Sequence, residues 1–280
     1  MLHESHATSP ATTTSGEEDG VAGARTASTR PPADAELAAV LARTAGERLH
    51  ELRRRSWDLS AADLKTQGDA EGQRVLAEGL AVARPSDAVL SEEAADDAAR
   101  LDATRVWIID PLDGTREFSE GRADWAVHVA LWQDGELVAG AVALPALDLV
   151  LTSDPPPLLP GRDGNSPLRM AVSRSRPPAI ATQVARALGA ELVTMGSAGF
   201  KVAAVIRGEA DLYVHGGGQY EWDSAAPVAV ARAAGLHTSR LDGSPLRYNQ
   251  PDPFLPDLVV CRPELREQLL TVLDGLGAGR

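Results

Sequence analysis

Apolar positions at helical spacing open the patterned part of the chain. Leu37, Val40, Leu41, Leu49 and Leu52 predict an amphipathic helix with Asp34 as its N-cap. Arg53, Arg54 and Arg55 suit its C-terminal end, where cations oppose the helix dipole. Val75, Leu76 and Leu80 predict a second helix from about Asp69 to Ala83. Ala88–Leu90 reads as a short strand that runs into Ser91-Glu92-Glu93, and Val106–Ile109 as a buried one. Residues 125–132, 136–144 and 147–152 read as successive strands of one antiparallel sheet, with Asp134-Gly135 as a hairpin turn. Residues 153–168 are rich in Pro and Gly and mark a long loop or a domain boundary. Helical patterns near 178–188, 198–207, 224–234 and 263–273 then alternate with strand patterns near 170–173, 191–195, 211–215 and 257–261. The order predicts an α+β half over 34–153 and an α/β half over 154–280.

Residues 1–33 lack apolar periodicity and are rich in Ser, Thr, Ala, Gly and Pro, so a disordered tail is expected there. No continuous apolar run marks a secretory leader or a membrane span, and a cytoplasmic location is expected. The single cysteine, Cys261, excludes an intrachain disulfide framework and a Cys-rich zinc site. The net charge of −13 argues against a general nucleic-acid binder, because phosphate backbones require basic surface. An anionic small molecule remains possible if cations intervene. Only Lys65 and Lys201 are lysines.

Three acidic patterns carry the candidate chemistry. Asp110-Pro-Leu-Asp113-Gly-Thr115 follows the apolar strand Val106–Ile109, so two carboxylates leave one strand end. Like charges held that close need a cation between them, and hard oxygen ligands imply Mg²⁺ or Ca²⁺. Gly114 permits close backbone approach, and the amides of Gly114 and Thr115 are candidates to face an anion. Glu92-Glu93 forms a second acid cluster after a strand, and Glu221-Trp222-Asp223 a third before a helix. Each pattern alone also fits a plain structural role: a turn, a solvated acid pair, or the N-cap of the helix after Asp223.

The combination resembles the inositol monophosphatase and fructose-1,6-bisphosphatase superfamily of metal-dependent, lithium-inhibited phosphatases. Its patterns stand here as Glu92-Glu93, Asp110–Thr115 and Trp222-Asp223-Ser-Ala-Ala226. Asp87–Glu93, Gly114–Phe118, Gly196-Ser-Ala-Gly199 with Lys201, and Leu241–Asn249 look like its actinobacterial CysQ branch. That branch dephosphorylates 3′-phosphoadenosine 5′-phosphate, and some of its members also act on inositol phosphates or fructose 1,6-bisphosphate.

The resemblance implies a layered αβαβα sandwich, a homodimer, and two or three Mg²⁺ ions in a cleft between the halves. It implies that Glu92, Asp110 and the Leu112 carbonyl hold the first ion, and Asp110, Asp113 and Asp223 the second. Glu92 would also orient waters on a third. Thr115 would help activate the attacking water with an acid from the second helix, and Asp69 in Lys65–Asp69 matches that position. Gly68 stands where the family has Ala or Glu, and Asp69 also fits the N-cap of its helix. Gly114, Thr115, Ser197 and Lys201 match substrate-binding positions. His215, beside Gly216-Gly217-Gly218 read as a loop, and Arg247 with Tyr248 are further candidates for the pocket, while His128 reads as a structural strand residue. The substrate implied is a small phosphate ester: 3′-phosphoadenosine 5′-phosphate first, inositol 1-phosphate or fructose 1,6-bisphosphate as the alternative. A metal- or nucleotide-binding regulator without catalysis is the reading from a different class.

Overall fold

The computed structural model describes residues 33–279; the expected disordered tail lies outside them except for Ala33. Helices α1 (Asp34–Arg55) and α2 (Ala61–Ala83) lead into a sheet of β1 (Ala88–Ser91), β2 (Arg105–Asp113), β3 (Ala126–Gln133), β4 (Glu136–Leu144) and β5 (Leu149–Thr152). The strands lie in chain order. β1 and β2 are parallel and the other pairs antiparallel. One short helix, α3 (Thr115–Ser119), follows β2.

The second half contributes β6 (Arg169–Ser173), α4 (Ala179–Leu188), β7 (Glu191–Met195), α5 (Ala198–Ile206), β8 (Leu212–Tyr220), α6 (Glu221–Ala233), β9 (His237–Ser239), β10 (Phe254–Cys261) and α7 (Arg266–Gly275). Its sheet has the order β7-β6-β8-β10-β9. The β6 pairs are parallel, whereas β8–β10 and β10–β9 are antiparallel.

Strand alternation explains the layering. On β2, Trp107 and Ile109 face α1 and α2, while Val106 and Ile108 face the opposite way, toward α5 and α6. β2 is buried on both faces and therefore reads as a continuous apolar run. The second sheet repeats the device. Tyr213 and Val260 face α5 and α6, and Leu212, Val214, Val259 and Cys261 face α4 and α7. The layers are α1/α2, sheet, α5/α6, sheet, α4/α7, which is the expected αβαβα sandwich.

Several boundaries differ from expectation. Ala33, not Asp34, occupies the N-cap of α1. The Asp34 carboxylate instead pairs with Arg84 at 2.9 Å and Arg105 at 3.0 Å, two cations brought from distant segments. Val40 faces solvent. α2 begins at Ala61, with Ser60 capping the Asp63 amide, so Asp69 lies inside the helix and is not its cap. Gly68 and Gly72 had blurred the helical pattern, and packing explains both. A Cβ on Gly68 would lie 2.8 Å from Leu112 Cδ2, and one on Gly72 2.8 Å from the Pro111 carbonyl oxygen. α2 therefore rests directly on the Asp110–Thr115 segment. Residues 216–218 belong to β8 rather than to a loop, and α6 starts at Glu221, earlier than its apolar pattern.

Candidate active site

One sheet irregularity, the end of β1 and one helix start assemble the site. Ser91 pairs with Ile109 in the parallel β1–β2 ladder, so Glu92 and Asp110 leave the sheet side by side. Asp110 pairs with His128 and Asp113 with Ala126, which leaves one extra residue on β2 between them. A regular strand would send positions 110 and 113 to opposite faces; the bulge brings both carboxylates to one side. Asp223 comes from the first turn of α6 and accepts the Tyr220 amide at 2.6 Å. Asp110, Asp113 and Asp223 each place a carboxylate oxygen within 4.8 Å of the others.

The four acids of the cluster differ in environment. Asp110 is buried, and its Oδ1 accepts the Leu112 amide at 3.0 Å. Its buried Oδ2 has no hydrogen-bond partner. Burial first, then repulsion from Glu92, Asp113 and Asp223, pushes its pKa well above the usual carboxylate value. Burial and the Asp223 charge raise Glu92 to about 7. Burial and the Asp113 charge raise Asp223 to about 6. Asp113 goes the other way, to about 2, because His128 and Ser197 outweigh the cost of its burial. Its Oδ2 accepts from Ser197 Oγ at 2.5 Å and Gly199 N at 2.6 Å, and its Oδ1 from Ala198 N at 3.1 Å. The start of α5 is thereby tied to the end of β2.

An orphaned buried carboxylate oxygen among crowded acids is costly unless a cation occupies the centre. The donors are carboxylate oxygens, which suit a hard divalent ion such as Mg²⁺. The residues present therefore fit a metal centre.

A cleft of about 730 Å³ opens beside this cluster. Glu92, Asp113 and Asp223 line it, with Gly114, Thr115, Ser197, Lys201 and His215 further round its wall.

The sequence profile of the inositol monophosphatase family matches residues 32–276. The chain belongs to the inositol monophosphatase family. A Mycobacterium leprae protein named 3′-phosphoadenosine 5′-phosphate phosphatase is 52% identical over 252 residues, which cover 86% of this chain and 93% of that one. An Escherichia coli protein named 3′(2′),5′-bisphosphate nucleotidase CysQ is 32% identical over 68% of this chain and 81% of its own. The crystal structure of CysQ from Bacteroides thetaiotaomicron superposes with a TM-score of 0.70 at 27% identity, covering 82% of this chain and 97% of that one.

Most positions named from the inositol monophosphatase resemblance come together. Asp110, Asp113 and Asp223 converge as described, with Glu92 following the end of β1 beside them. Thr115 Oγ1 lies 3.5 Å from Asp69 Oδ1 and 3.2 Å from the Leu112 carbonyl oxygen. Burial and the nearby Glu93 raise Asp69 to about 6, although its bond to Thr115 pulls the other way. Gly114 holds a φ of +91° where the chain turns from β2 into α3, a conformation that favours glycine.

The remaining positions make contacts within the protein, and Ser197, Lys201 and His215 also line the cleft. The buried Lys201 ammonium donates to the carbonyls of Gly196 at 3.1 Å and Ser197 at 2.5 Å, so it braces this turn beneath the cleft. Ser197 caps the Phe200 amide while binding Asp113. His215 joins the Tyr213 hydroxyl to the Gly218 carbonyl. Arg247 lies away from the cleft, in a smaller depression with Arg240 and Gln250. Tyr248 is buried against Ser224, and Glu221 holds the amides of Asn249 and Gln250, so the Leu241–Asn249 segment anchors the base of α6.

His128, expected as a structural strand residue, is fully buried and bridges elements of the site. Its Nε2 lies 3.3 Å from Asp113 Oδ2, and its Nδ1 lies 3.1 Å from the Trp222 carbonyl oxygen. It therefore links β3 to two acid-bearing segments.

Proposed function

We propose that this chain is a Mg²⁺-dependent phosphatase that converts 3′-phosphoadenosine 5′-phosphate into AMP and phosphate, and that it works as a homodimer in the cytoplasm. The likeness to the M. leprae phosphatase over most of the chain carries this reading. The convergence of Asp110, Asp113 and Asp223, with Glu92 on the cleft wall, and the Thr115–Asp69 pair support it.

Phosphate monoester dianions repel nucleophiles, and their uncatalysed hydrolysis is among the slowest reactions known. Glu92, Asp110 and the Leu112 carbonyl would hold one Mg²⁺; Asp110, Asp113 and Asp223 would hold a second. Bound there, the ions would neutralise the substrate, acidify the attacking water and stabilise the leaving oxygen. The chain's own part begins with placement. The β2 bulge fixes the Asp110–Asp113 spacing, and α5 locks Asp113 in one orientation. The Thr115 hydroxyl stands between Asp69 and the Leu112 carbonyl. A water held at Thr115 passes its proton through that hydroxyl to ionised Asp69, which acts as general base. Gly114 and Thr115 line the cleft beside the acids, with Ser197 and His215 further round its wall.

Phosphate release from 3′-phosphoadenosine 5′-phosphate should require Mg²⁺, stop with EDTA and return when Mg²⁺ is restored. Release that ignores EDTA would overturn the metal centre. Mg²⁺ and nucleotide binding by calorimetry without release would make the chain a regulator instead.

A further inference from the structure

Two arginines stand on the wall of the cleft without an acid of their own. Arg116 lies in the first turn of α3, directly after Thr115, and Arg176 lies between β6 and α4. Both are exposed and both line the cleft. Among the described residues, neither guanidinium has a carboxylate partner. The acids nearby are already taken. Arg174 binds Glu117 at 2.9 Å and Glu120 at 2.7 Å, and Arg122 binds Asp124 at 2.7 Å. Lys201, also on the wall, is buried and gives its ammonium to the Gly196 and Ser197 carbonyls. Of the cleft's lysine and arginine side chains, Arg116 and Arg176 are the ones open to a ligand.

The backbone beneath each of them is held. The Arg116 carbonyl accepts Ser119 Oγ and the Glu120 amide, each at 2.9 Å. Phe118, two residues on, is buried edge-on against Trp125 with ring centroids 5.0 Å apart, which roots α3. The Arg176 amide donates to Ser173 Oγ at 3.3 Å, and Pro177-Pro178 restrict the chain that follows. The Arg174 amide donates to the Met195 carbonyl at 3.1 Å, while its side chain ties this segment to α3. Arg116 and Arg176 therefore extend from two segments that are fixed to each other. Little backbone order is left to lose when their charged ends bind.

We propose that Arg116 and Arg176 hold the second phosphate of the substrate, the one that is not hydrolysed; this rests on the nucleotide reading above. 3′-Phosphoadenosine 5′-phosphate carries two phosphates. Cations in the acid cluster would neutralise the one that reacts, but they leave the 5′-phosphate facing a protein of net charge −13. Guanidinium groups grip phosphate through paired, charge-assisted hydrogen bonds and keep their charge at any working pH. Arg116 follows Thr115 in the chain, so the grip starts next to the residue that holds the attacking water. Inositol 1-phosphate has no second phosphate to offer, so the pair favours the nucleotide over it.

The test compares kcat/KM, with Mg²⁺, for adenosine 3′,5′-bisphosphate and adenosine 3′-monophosphate, which lacks only the 5′-phosphate. The native enzyme should prefer the bisphosphate by about a hundredfold, because a hydrogen-bonded contact to a charged group is worth roughly tenfold or more and two arginines make one each. Arg116→Gln and Arg176→Gln should each lower that preference about tenfold, mainly through KM for the bisphosphate, and the double variant should bring it within about threefold. Arg116→Lys, which keeps the charge, should retain more of the preference than Arg116→Gln. Thermal melts of the variants establish that they are folded. A native enzyme that treats the two nucleotides alike, or a folded double variant that keeps the native preference, would overturn the role of the arginines. A native enzyme that favours inositol 1-phosphate over both nucleotides would overturn the nucleotide reading itself.

Discussion

Asp110 is the residue on which the account turns. Its carboxyl is buried among acids, and burial with repulsion from Glu92, Asp113 and Asp223 makes its ionised form costly in the cation-free protein. Asp110→Asn should lower kcat by a thousandfold or more with the fold retained. It should also raise the stability of the cation-free protein by about 1–2 kcal/mol and remove the stabilisation that Mg²⁺ gives the native chain. Melting curves with and without Mg²⁺ check both signs. Asp69 supplies the pH dependence. Its pKa of about 6 belongs to the cation-free site, and bound Mg²⁺ will draw it lower. Asp69 must be ionised to take a proton, so kcat should fall as pH drops through a limb at or below 6. Asp69→Asn should remove that limb and cost 10²–10⁴-fold. The acid motifs were legible because their spacing is distinctive. His128 was not, because a lone histidine in a strand carries no local signal, and only the register opposite Asp110 gives it meaning.

At the scale of elements, α2 shows why propensity misleads. Gly68 and Gly72 weaken its helical pattern, yet both are required where the helix lies on the Asp110–Thr115 segment. Gly72→Ala should gain about 1 kcal/mol of helix propensity. The new Cβ would meet Pro111, 2.8 Å from its carbonyl oxygen and 3.0 Å from its Cβ, and such overpacking costs about 1–3 kcal/mol. The clash should win. Net destabilisation with a tenfold or greater loss of kcat would show that α2 positions Asp69 against Thr115; unchanged kinetics would contradict that coupling. The same reasoning covers β8. Its glycine run reads as a loop because glycine is rare in strands, whereas the structure uses it to build a bulge.

At the scale of the molecule, the strand runs of the first half and the later helix–strand order foretold an α+β half followed by an α/β half, and the family resemblance implied their layering. The face of each helix was less legible, since α5 and α6 are buried between two sheets and carry little amphipathic signal. The net charge of −13 and an anionic substrate are reconciled if cations fill the acid cluster. No helix among the described residues is long and apolar enough to cross a membrane. The central claim is that this layered scaffold directs metal-centred hydrolysis onto a nucleotide. The most direct measurement is kcat/KM with Mg²⁺ for 3′-phosphoadenosine 5′-phosphate, inositol 1-phosphate and fructose 1,6-bisphosphate side by side. The account predicts a preference for the nucleotide of about a hundredfold or more, about 2.7 kcal/mol of transition-state discrimination. Equal rates on all three, or faster turnover of inositol 1-phosphate, would contradict it.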